Sequence, residues 1–187
     1  MQSIKCVAVG DSGVGKGSML FAYATGKFPR ARVPADIPDN YSLMTMVDGG
    51  EWTSLDLYFT PGSEDYDQLR PLLWYPQTNL FLVCFSVVEL GSFESVPSWV
   101  KEIRQHCGWK VPFLLCGTKT DLRNHPEVLR ELAGEGCGPV TFQQGLGLAR
   151  EVGAAGYVEC SAWTRAGLKG VFEEVIATVV KERKRKP

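Results

Sequence analysis

The sequence of 187 residues contains no apolar run near the roughly 20 residues that a membrane-spanning helix requires. It also has no excess of charge of either sign, because 20 Lys and Arg residues balance 21 Asp and Glu residues. This balance argues against a surface dedicated to nucleic acid. The opening residues MQSIKCVAVGD have no small-residue cleavage site, so they predict a first β-strand and not a signal peptide. The length predicts one domain with a full hydrophobic core.

Cysteine and histidine are present, but without the spacing of a metal site. The sequence has no C-x-x-C pair, and its two histidines, His106 and His125, stand alone, which argues against a zinc site. Four cysteines in apolar runs are predicted to be buried, reduced thiols: Cys6, Cys84, Cys116 and Cys160. This use of cysteine predicts a cytoplasmic, reducing location.

Short β-rich runs alternate with segments at helical spacing. The predicted strands are Ile4–Gly10, Ser42–Val47, Thr53–Phe59, Leu80–Ser86, Pro112–Gly117 and Tyr157–Cys160. The predicted helices are Lys16–Thr25, Ser92–Cys107, Phe142–Val152 and Leu168–Lys181. A hairpin signal, Asp48-Gly49, predicts that the second and third strands are antiparallel. The alternation otherwise predicts an α/β fold, a mostly parallel sheet with helices on both faces and ligands at the carboxyl ends of its strands.

Residues 10–16, GDSGVGK, match the phosphate-binding pattern G-x-x-x-x-G-K between a predicted strand and a predicted helix. Glycines let backbone N–H groups surround a phosphate, and Lys16 adds a positive charge. The pattern ends in Ser or Thr, whose hydroxyl binds magnesium, but this chain has Gly17 there. The next residue, Ser18, does not replace that hydroxyl, because it points about 100° away on a helix. The predicted binding residues here are Ser12, Gly13, Val14, Gly15, Lys16, Gly17 and Ser18.

Residues 117–121, GTKTD, follow the fifth predicted strand. The Asp121 carboxylate can accept hydrogen bonds from the N1–H and amino group of guanine, a donor pair that adenine lacks. The stem of Lys119 can lie along the base, and a backbone N–H of the E-C-S-A run at 159–162 can meet guanine O6. The T-K-x-D sequence alone also fits a solvated loop, but the phosphate loop and the E-C-S-A run together favour a guanine site. The predicted base-binding residues are Thr118, Lys119, Asp121, Ser161 and Ala162.

With these motifs the chain resembles small GTPases of the Ras superfamily, and within them the Rho family, most closely Rac. The resemblance covers essentially the whole chain through IKCVAVGD, EDYDQLRPLLWYPQT, SFESV, GTKTDLR and FQQGLGLAREVGAAGYVECSAWTRAGLKGVFEEVI. It implies a three-layer P-loop GTPase fold over residues 1–180, with six strands, one of them antiparallel, about five helices and an insert helix near residues 123–138. It further implies bound GTP or GDP, two switch loops, and nucleotide contacts for Phe28 and Gly62.

The departures from the family pattern concentrate on its metal and hydrolysis groups. Gly17, Ala35 and Phe59 occupy positions that hold magnesium in relatives, so bound Mg²⁺ is doubtful. Ser63 occupies the position of the glutamine that orients the attacking water, and Ser12 that of the glycine which leaves room for an arginine finger. Such a finger accelerates hydrolysis by about 10³–10⁵-fold. We therefore expect no catalytic residue, and GTP hydrolysis that is absent or very slow.

Two functions follow as alternatives from this combination. The first is an atypical Rac-like GTP-binding protein that signals by binding effectors persistently. The second is a pseudoGTPase scaffold that binds protein partners independently of nucleotide. A third, an ordinary hydrolytic switch, would need other groups to replace the lost metal ligands. Arg32, where relatives have a tyrosine, is either a guanidinium lid over the phosphates or a solvated loop residue.

The resemblance implies partner surfaces at residues 30–45 and 60–76. Pro38 stands where relatives have a phenylalanine in the effector-binding stretch, which predicts altered effector binding. Tyr58 stands where relatives have a tryptophan that helps to select exchange factors, which predicts altered exchange factors. The basic segment 181–187 predicts a weak contact with anionic membranes, because each basic residue contributes about 1 kcal/mol there. Relatives follow such a segment with a prenylated C-a-a-X box, so we expect a cytoplasmic protein that reaches the inner face of the plasma membrane if a lipidated tail continues beyond Pro187.

Overall fold

The computed structural model describes residues 3–29, 40–47 and 50–185. Within these ranges six strands form one sheet with the order β2-β3-β1-β4-β5-β6. The strands are β1 Ser3–Val9, β2 Asn40–Val47, β3 Glu51–Phe59, β4 Leu80–Ser86, β5 Phe113–Thr118 and β6 Gly156–Glu159. The helices are α1 Lys16–Thr25, α2 Arg70–Leu73, α3 Leu90–Glu94, α4 Val96–Cys107, α5 Pro126–Gly134, α6 Phe142–Glu151 and α7 Leu168–Arg185.

Two hydrophobic cores cover the two faces of the sheet. Alternate residues of β1 and β4 point to opposite faces, which explains why both strands are continuous apolar runs. One core contains buried residues of α1 and α7, and the other contains buried residues of α4 and α6. The predicted three-layer α/β fold is therefore confirmed.

The hairpin of β2 and β3 is antiparallel, as predicted, and pairs Asn40 with Tyr58 and Val47 with Glu51. The remaining pairings among the described strands are parallel. Asp48 and Gly49, which predicted this hairpin, lie outside the described residues. Strand β2 lies at one edge of the sheet, and its residues alternate between exposed and half-buried along the strand.

The prediction of one helix over Ser92–Cys107 is wrong, because α3 ends at Glu94 and α4 begins at Val96. Pro97 lies in the first turn of α4, where a residue without an N–H is tolerated. Ser92 lies inside α3 and does not start a helix. Its hydroxyl donates to the Glu89 carbonyl at 2.7 Å and accepts from the Ser86 N–H at 3.0 Å.

Outside the sheet, one segment holds elements that were not predicted, one holds an expected helix, and one helix is longer than predicted. The segment 60–78, which was not assigned a helix or strand from the sequence, holds a 3-10 turn, Glu64–Tyr66, and helix α2. Helix α5 lies inside segment 123–138, where an insert helix was expected. Helix α7 extends four residues beyond the predicted end at Lys181. The basic side chains in its last turn stabilise this extension, because positive charges interact favourably with the negative end of the helix dipole.

The four cysteines predicted to be buried are buried free thiols. All four belong to the core that also contains the buried residues of α1 and α7. Across the described ranges, the helices are too short or too polar to cross a bilayer.

Candidate functional site

The loops that follow β1, β5 and β6 meet at the carboxyl edge of the sheet. Gly10 begins the first of these loops with a φ of 139°, and a Cβ at this position would lie 2.2 Å from the Cys84 carbonyl oxygen. Gly15 precedes α1 with a φ of 101°. Only glycine fits both positions without strain, so the sequence pattern produces the tight loop that a phosphate group requires.

Lys16 is the first residue of α1 and its side chain is only 6% exposed. Its Nζ donates to the carbonyl oxygens of Gly10 at 2.6 Å and of Asp11 at 2.7 Å. Burial lowers the pKa of Lys16 to about 8, although nearby Cys84 and Asp11 act in the opposite direction. The ammonium group of Lys16, which was predicted to bind phosphate, therefore lies inside the loop.

Residues 61–63 pack directly on the phosphate loop. A Cβ on Gly62 would lie 2.3 Å from the Ser12 nitrogen and 2.6 Å from the Gly10 carbonyl oxygen, so the two backbones are in contact. The Ser63 hydroxyl donates to Asp65 Oδ2 at 3.1 Å and accepts from the Asp65 N–H at 3.3 Å. Ser63 therefore caps the 3-10 turn that follows it.

Arg70 holds this segment against α4 and was not predicted from the sequence. Its side chain is fully buried and donates to the carbonyl oxygens of Pro61 at 3.1 Å and Ser63 at 3.0 Å. It also forms an ion pair with Glu102 at 2.8 Å. Burial disfavours its charge, but the hydrogen bond and charge of Glu102 raise the pKa of Arg70 above its usual value.

A cavity of about 570 Å³ lies beside the phosphate loop, within the usual size range of small-molecule sites. Seven predicted site residues line it: Gly15, Ser18, Phe28, Thr118, Lys119, Asp121 and Ala162. Six further residues line it that were not predicted: Met19, Leu122, His125, Cys160, Trp163 and Thr164. Trp163 and Thr164 directly follow the E-C-S-A run, which is a signal that could have identified them, whereas nothing in the sequence indicates His125.

Asp121 is held in place by a buried serine. The Ser161 hydroxyl donates to Asp121 Oδ1 at 2.5 Å and accepts from the Thr164 N–H at 3.0 Å. Ser161 itself is fully buried and does not line the cavity. Its role is therefore to orient the carboxylate, which retains lone pairs for a donor in the cavity.

Thr118 connects the base loop to the phosphate loop. Its hydroxyl lies 2.5 Å from the Val14 carbonyl oxygen and 2.9 Å from that of Phe85. Lys119 adopts a positive φ of 58° and its Nζ lies 3.6 Å from Glu89 Oε2. These contacts fix the base loop relative to the other half of the site.

The Thr120–Leu122 turn, which carries Asp121, is attached to β6 by hydrogen bonds between side chains. Arg123 forms two hydrogen bonds with Glu159, at 2.9 and 2.6 Å. The Tyr157 hydroxyl donates to the same carboxylate at 2.6 Å. Burial and the bond to Glu159 raise the pKa of Tyr157 well above its usual value.

A sequence model of the Ras family matches residues 5–181, nearly the whole chain. The chain belongs to the Ras family. It is therefore a small GTP-binding protein, and the family fold implies that it binds guanine nucleotides.

The positions expected to hold magnesium in this family have few ligand atoms here. Gly17 has no side chain, and the ring of Phe59 is half-buried against the core. Ala35 and Arg32 lie outside the described residues. Over the ranges that are described, His, Cys, Asp and Glu side chains form no group of three or more able to hold a metal ion. Because neither Gly17 nor Phe59 carries a side-chain oxygen, these two positions do not fit a Ras-type magnesium site.

Proposed function

We propose that this Ras-family chain is a Rho-type, Rac-like protein that binds guanine nucleotide, hydrolyses GTP very slowly or not at all, and signals by binding effectors. The observation that carries the proposal is the contrast within the site. A formed cavity presents Asp121 and Lys119, while Gly17, Phe59 and Ser63 offer neither magnesium ligands nor a water-orienting amide. Helix α5, in segment 123–138, supports the Rho-type assignment.

Loss of hydrolysis follows from the nature of phosphoryl transfer. Such enzymes act almost wholly by positioning the groups and neutralising charge, for which a metal ion and a water-orienting side chain are the main tools. Ser63 is engaged with Asp65, and Ser12 adds a side chain where close approach is needed. Nucleotide binding then depends on Lys16 and the loop amides, with Arg32 as a proposed lid, and depends little on magnesium.

A direct test identifies the nucleotide in freshly purified full-length protein. The protein is denatured by heat, and the released nucleotide is separated by HPLC. Bound GTP supports the proposal. If the protein retains the same amount of nucleotide after EDTA has removed divalent metal ions, nucleotide binding depends little on metal. Magnesium-dependent phosphate release at a rate typical of Ras-family relatives would overturn it.

A matched variant tests the magnesium part of the proposal. The double change Gly17→Ser and Phe59→Asp adds two oxygen-bearing side chains at the altered positions. We expect magnesium to tighten nucleotide binding by about 10-fold or more in this variant, since charge-assisted contacts contribute about 1.5–3 kcal/mol. Gly17→Ala adds a Cβ without an oxygen and serves as the control.

The alternative, a nucleotide-independent scaffold, is favoured by the packing of the phosphate loop. Gly62 is in backbone contact with Ser12, and both hydrogen bonds of Lys16 Nζ go to loop carbonyl oxygens. A lysine engaged in this way needs no phosphate to provide acceptors for its amine. Freshly purified protein without nucleotide would support this function over the first.

Exposed apolar side chains in segment 60–76 support an effector surface there. Leu69, Leu72 and Leu73 are 46%, 72% and 62% exposed, and Tyr66 is 40% exposed. Such patches often mark protein interaction sites. At the end of α7, exposed basic residues support a weak contact with anionic membranes, and we propose a cytoplasmic protein that reaches the inner face of the plasma membrane if a lipidated tail continues beyond Pro187.

A further inference from the structure

The hairpin of β2 and β3 exposes three large apolar side chains on one face. Met44, Met46 and Trp52 are 50%, 57% and 57% exposed. Met46 and Trp52 are cross-strand partners, and Met44 lies two residues before Met46, so the three side chains point to the same face of the sheet. We call these three residues the hairpin patch. Grouped apolar side chains of this size on a protein surface mark an interaction site.

The last turns of α7 lie beside the hairpin patch. A cavity of about 310 Å³ separates β2 from α7, and it is lined by Met46 on the strand and by Ile176 and Val180 on the helix. Near the end of the helix, Arg183 Nη2 donates to the Ser3 carbonyl oxygen at 2.6 Å. Because Ser3 begins β1, helix α7 ends at the amino edge of the sheet.

This end of α7 carries positive charge. Lys181, Lys184 and Arg185 are exposed. The one acidic residue among 181–185, Glu182, forms an ion pair with Arg185 at 3.0 Å. Basic residues beside exposed apolar residues are typical of proteins that lie on an anionic bilayer, because the charges attract the headgroups while the apolar side chains enter the boundary with the acyl chains. Tryptophan suits this boundary, since its ring is apolar and its N–H is polar.

The hairpin patch and the nucleotide cavity lie at opposite edges of the sheet. Trp52 is the second residue of β3, which is parallel to β1, so the patch lies at the amino edge. The loops that form the nucleotide cavity follow the carboxyl ends of β1, β5 and β6. A bilayer in contact with the hairpin patch therefore leaves the nucleotide cavity open to solution.

We propose that the hairpin patch inserts into anionic membranes beside the basic end of α7, so that the folded domain itself binds the bilayer. This proposal rests on the membrane contact of the basic residues proposed above and adds an apolar insertion to it. The two contributions act in combination, because a basic segment or a small apolar anchor binds a membrane only weakly by itself.

The test measures cosedimentation of the full chain with sucrose-loaded vesicles of equal parts phosphatidylcholine and phosphatidylserine. Trp52→Ala should lower the partition coefficient by about 10-fold or more, because the apolar contact of the indole is lost. Lys184→Gln should lower it by about 5-fold through the loss of one charge. Leu129→Ala is the matched control, since Leu129 is an exposed apolar residue of α5, which follows the carboxyl end of β5. Thermal melting curves like that of the wild type show that the variants are folded.

Insertion is measured separately by tryptophan fluorescence, since brominated acyl chains quench an indole that lies within the bilayer. Vesicles that contain brominated phosphatidylcholine should quench the wild type on binding. Trp52→Phe should still bind, because phenylalanine keeps an apolar contact, but it should lose most of this quenching. The comparison distinguishes insertion of the hairpin patch from attraction of the charges alone.

Each contrary result has a distinct meaning. Binding that is weakened in Lys184→Gln but unchanged in Trp52→Ala leaves the contact of the basic residues in place and refutes insertion. Quenching that persists in Trp52→Phe assigns insertion to another tryptophan and refutes the role of the hairpin patch. Self-association without vesicles that Trp52→Ala abolishes would make the patch an interface between copies of the chain and overturn the proposal. A chain that binds no anionic vesicle overturns both this proposal and the membrane contact on which it rests.

Discussion

The two ends of the nucleotide site differ in how they are built. At the base end, Asp121 and Trp163 surround an open cavity of about 570 Å³. At the phosphate end, Lys16 bonds to loop carbonyl oxygens and Gly62 lies against the loop backbone. The departures from the family pattern concentrate at the phosphate end. Base recognition and phosphoryl transfer are therefore separable, because they depend on different loops of the same sheet edge.

The base end has its own structural support, which explains how it tolerates change at the other end. Arg123 and Glu159 form a bidentate pair that attaches the Asp121 turn to β6. Thr118 bonds to the backbone of Val14 and not to any altered side chain. Substitutions at the phosphate end therefore leave these contacts in place.

The largest expected effect comes from breaking the base end. Asp121→Ala removes two charge-assisted hydrogen bonds to guanine, each worth about 1.5–3 kcal/mol, so the Kd for GMP and GDP should rise at least about 100-fold. Isothermal titration calorimetry measures both values. Asp65→Ala, at an exposed carboxylate of the 3-10 turn, is the control and should bind normally. Normal guanine binding by Asp121→Ala would remove the basis for separating the two ends.

Much of the fold was predictable because its signals are local. The bounds of α1 agree with the prediction at both ends, since a glycine-rich loop fixes its start and Gly26, with a φ of 70°, fixes its end. Strands β1 and β4 were predictable as continuous apolar runs. The break between α3 and α4 was not predicted, although Pro97, in the first turn of α4, is a residue typical of a helix start.

The site was only partly predictable, because some of its contacts join distant segments. Arg70 appears in the sequence as an ordinary loop residue, and its burial depends on Glu102, which lies 32 residues away. The edge-to-face contact between the rings of Phe28 and Trp163 joins segments far apart in the chain. Motifs identify residues that contact a ligand through a fixed local geometry, whereas such supporting contacts become visible only in the fold.

The second prediction sharpens the comparison through pH. The pKa of Lys16 is about 8 in the free protein, and a bound β-phosphate should raise it by favouring the charged form. GDP affinity should therefore be constant below pH 7 and fall by up to about 10-fold between pH 7 and pH 9, because binding then requires uptake of a proton. GMP, which lacks the β-phosphate, should show little change over the same range.

Lys16→Met is the control for this titration and should remove the pH dependence of GDP binding. The same shift affects folding with a defined sign. Because the Lys16 pKa is below the usual 10.5, the unfolded chain binds more protons between about pH 8 and 10.5, so this group makes the nucleotide-free protein more stable as pH rises through that window. Equal pH profiles for GDP and GMP would show that Lys16 does not act on the phosphates.

The smallest expected effect tests how the base end is oriented. Ser161→Ala removes the hydrogen bond to Asp121, and since such bonds contribute about 1 kcal/mol, GMP and GDP should both bind about 5-fold more weakly. Ser42→Ala is the matched control, because Ser42 donates to Asp56 at 2.7 Å on the β2–β3 hairpin, outside the cavity. The equal effect on both ligands matters more than its size. A loss confined to GDP would mean that Ser161 acts through the phosphate loop, and the two ends could then no longer be treated as independent.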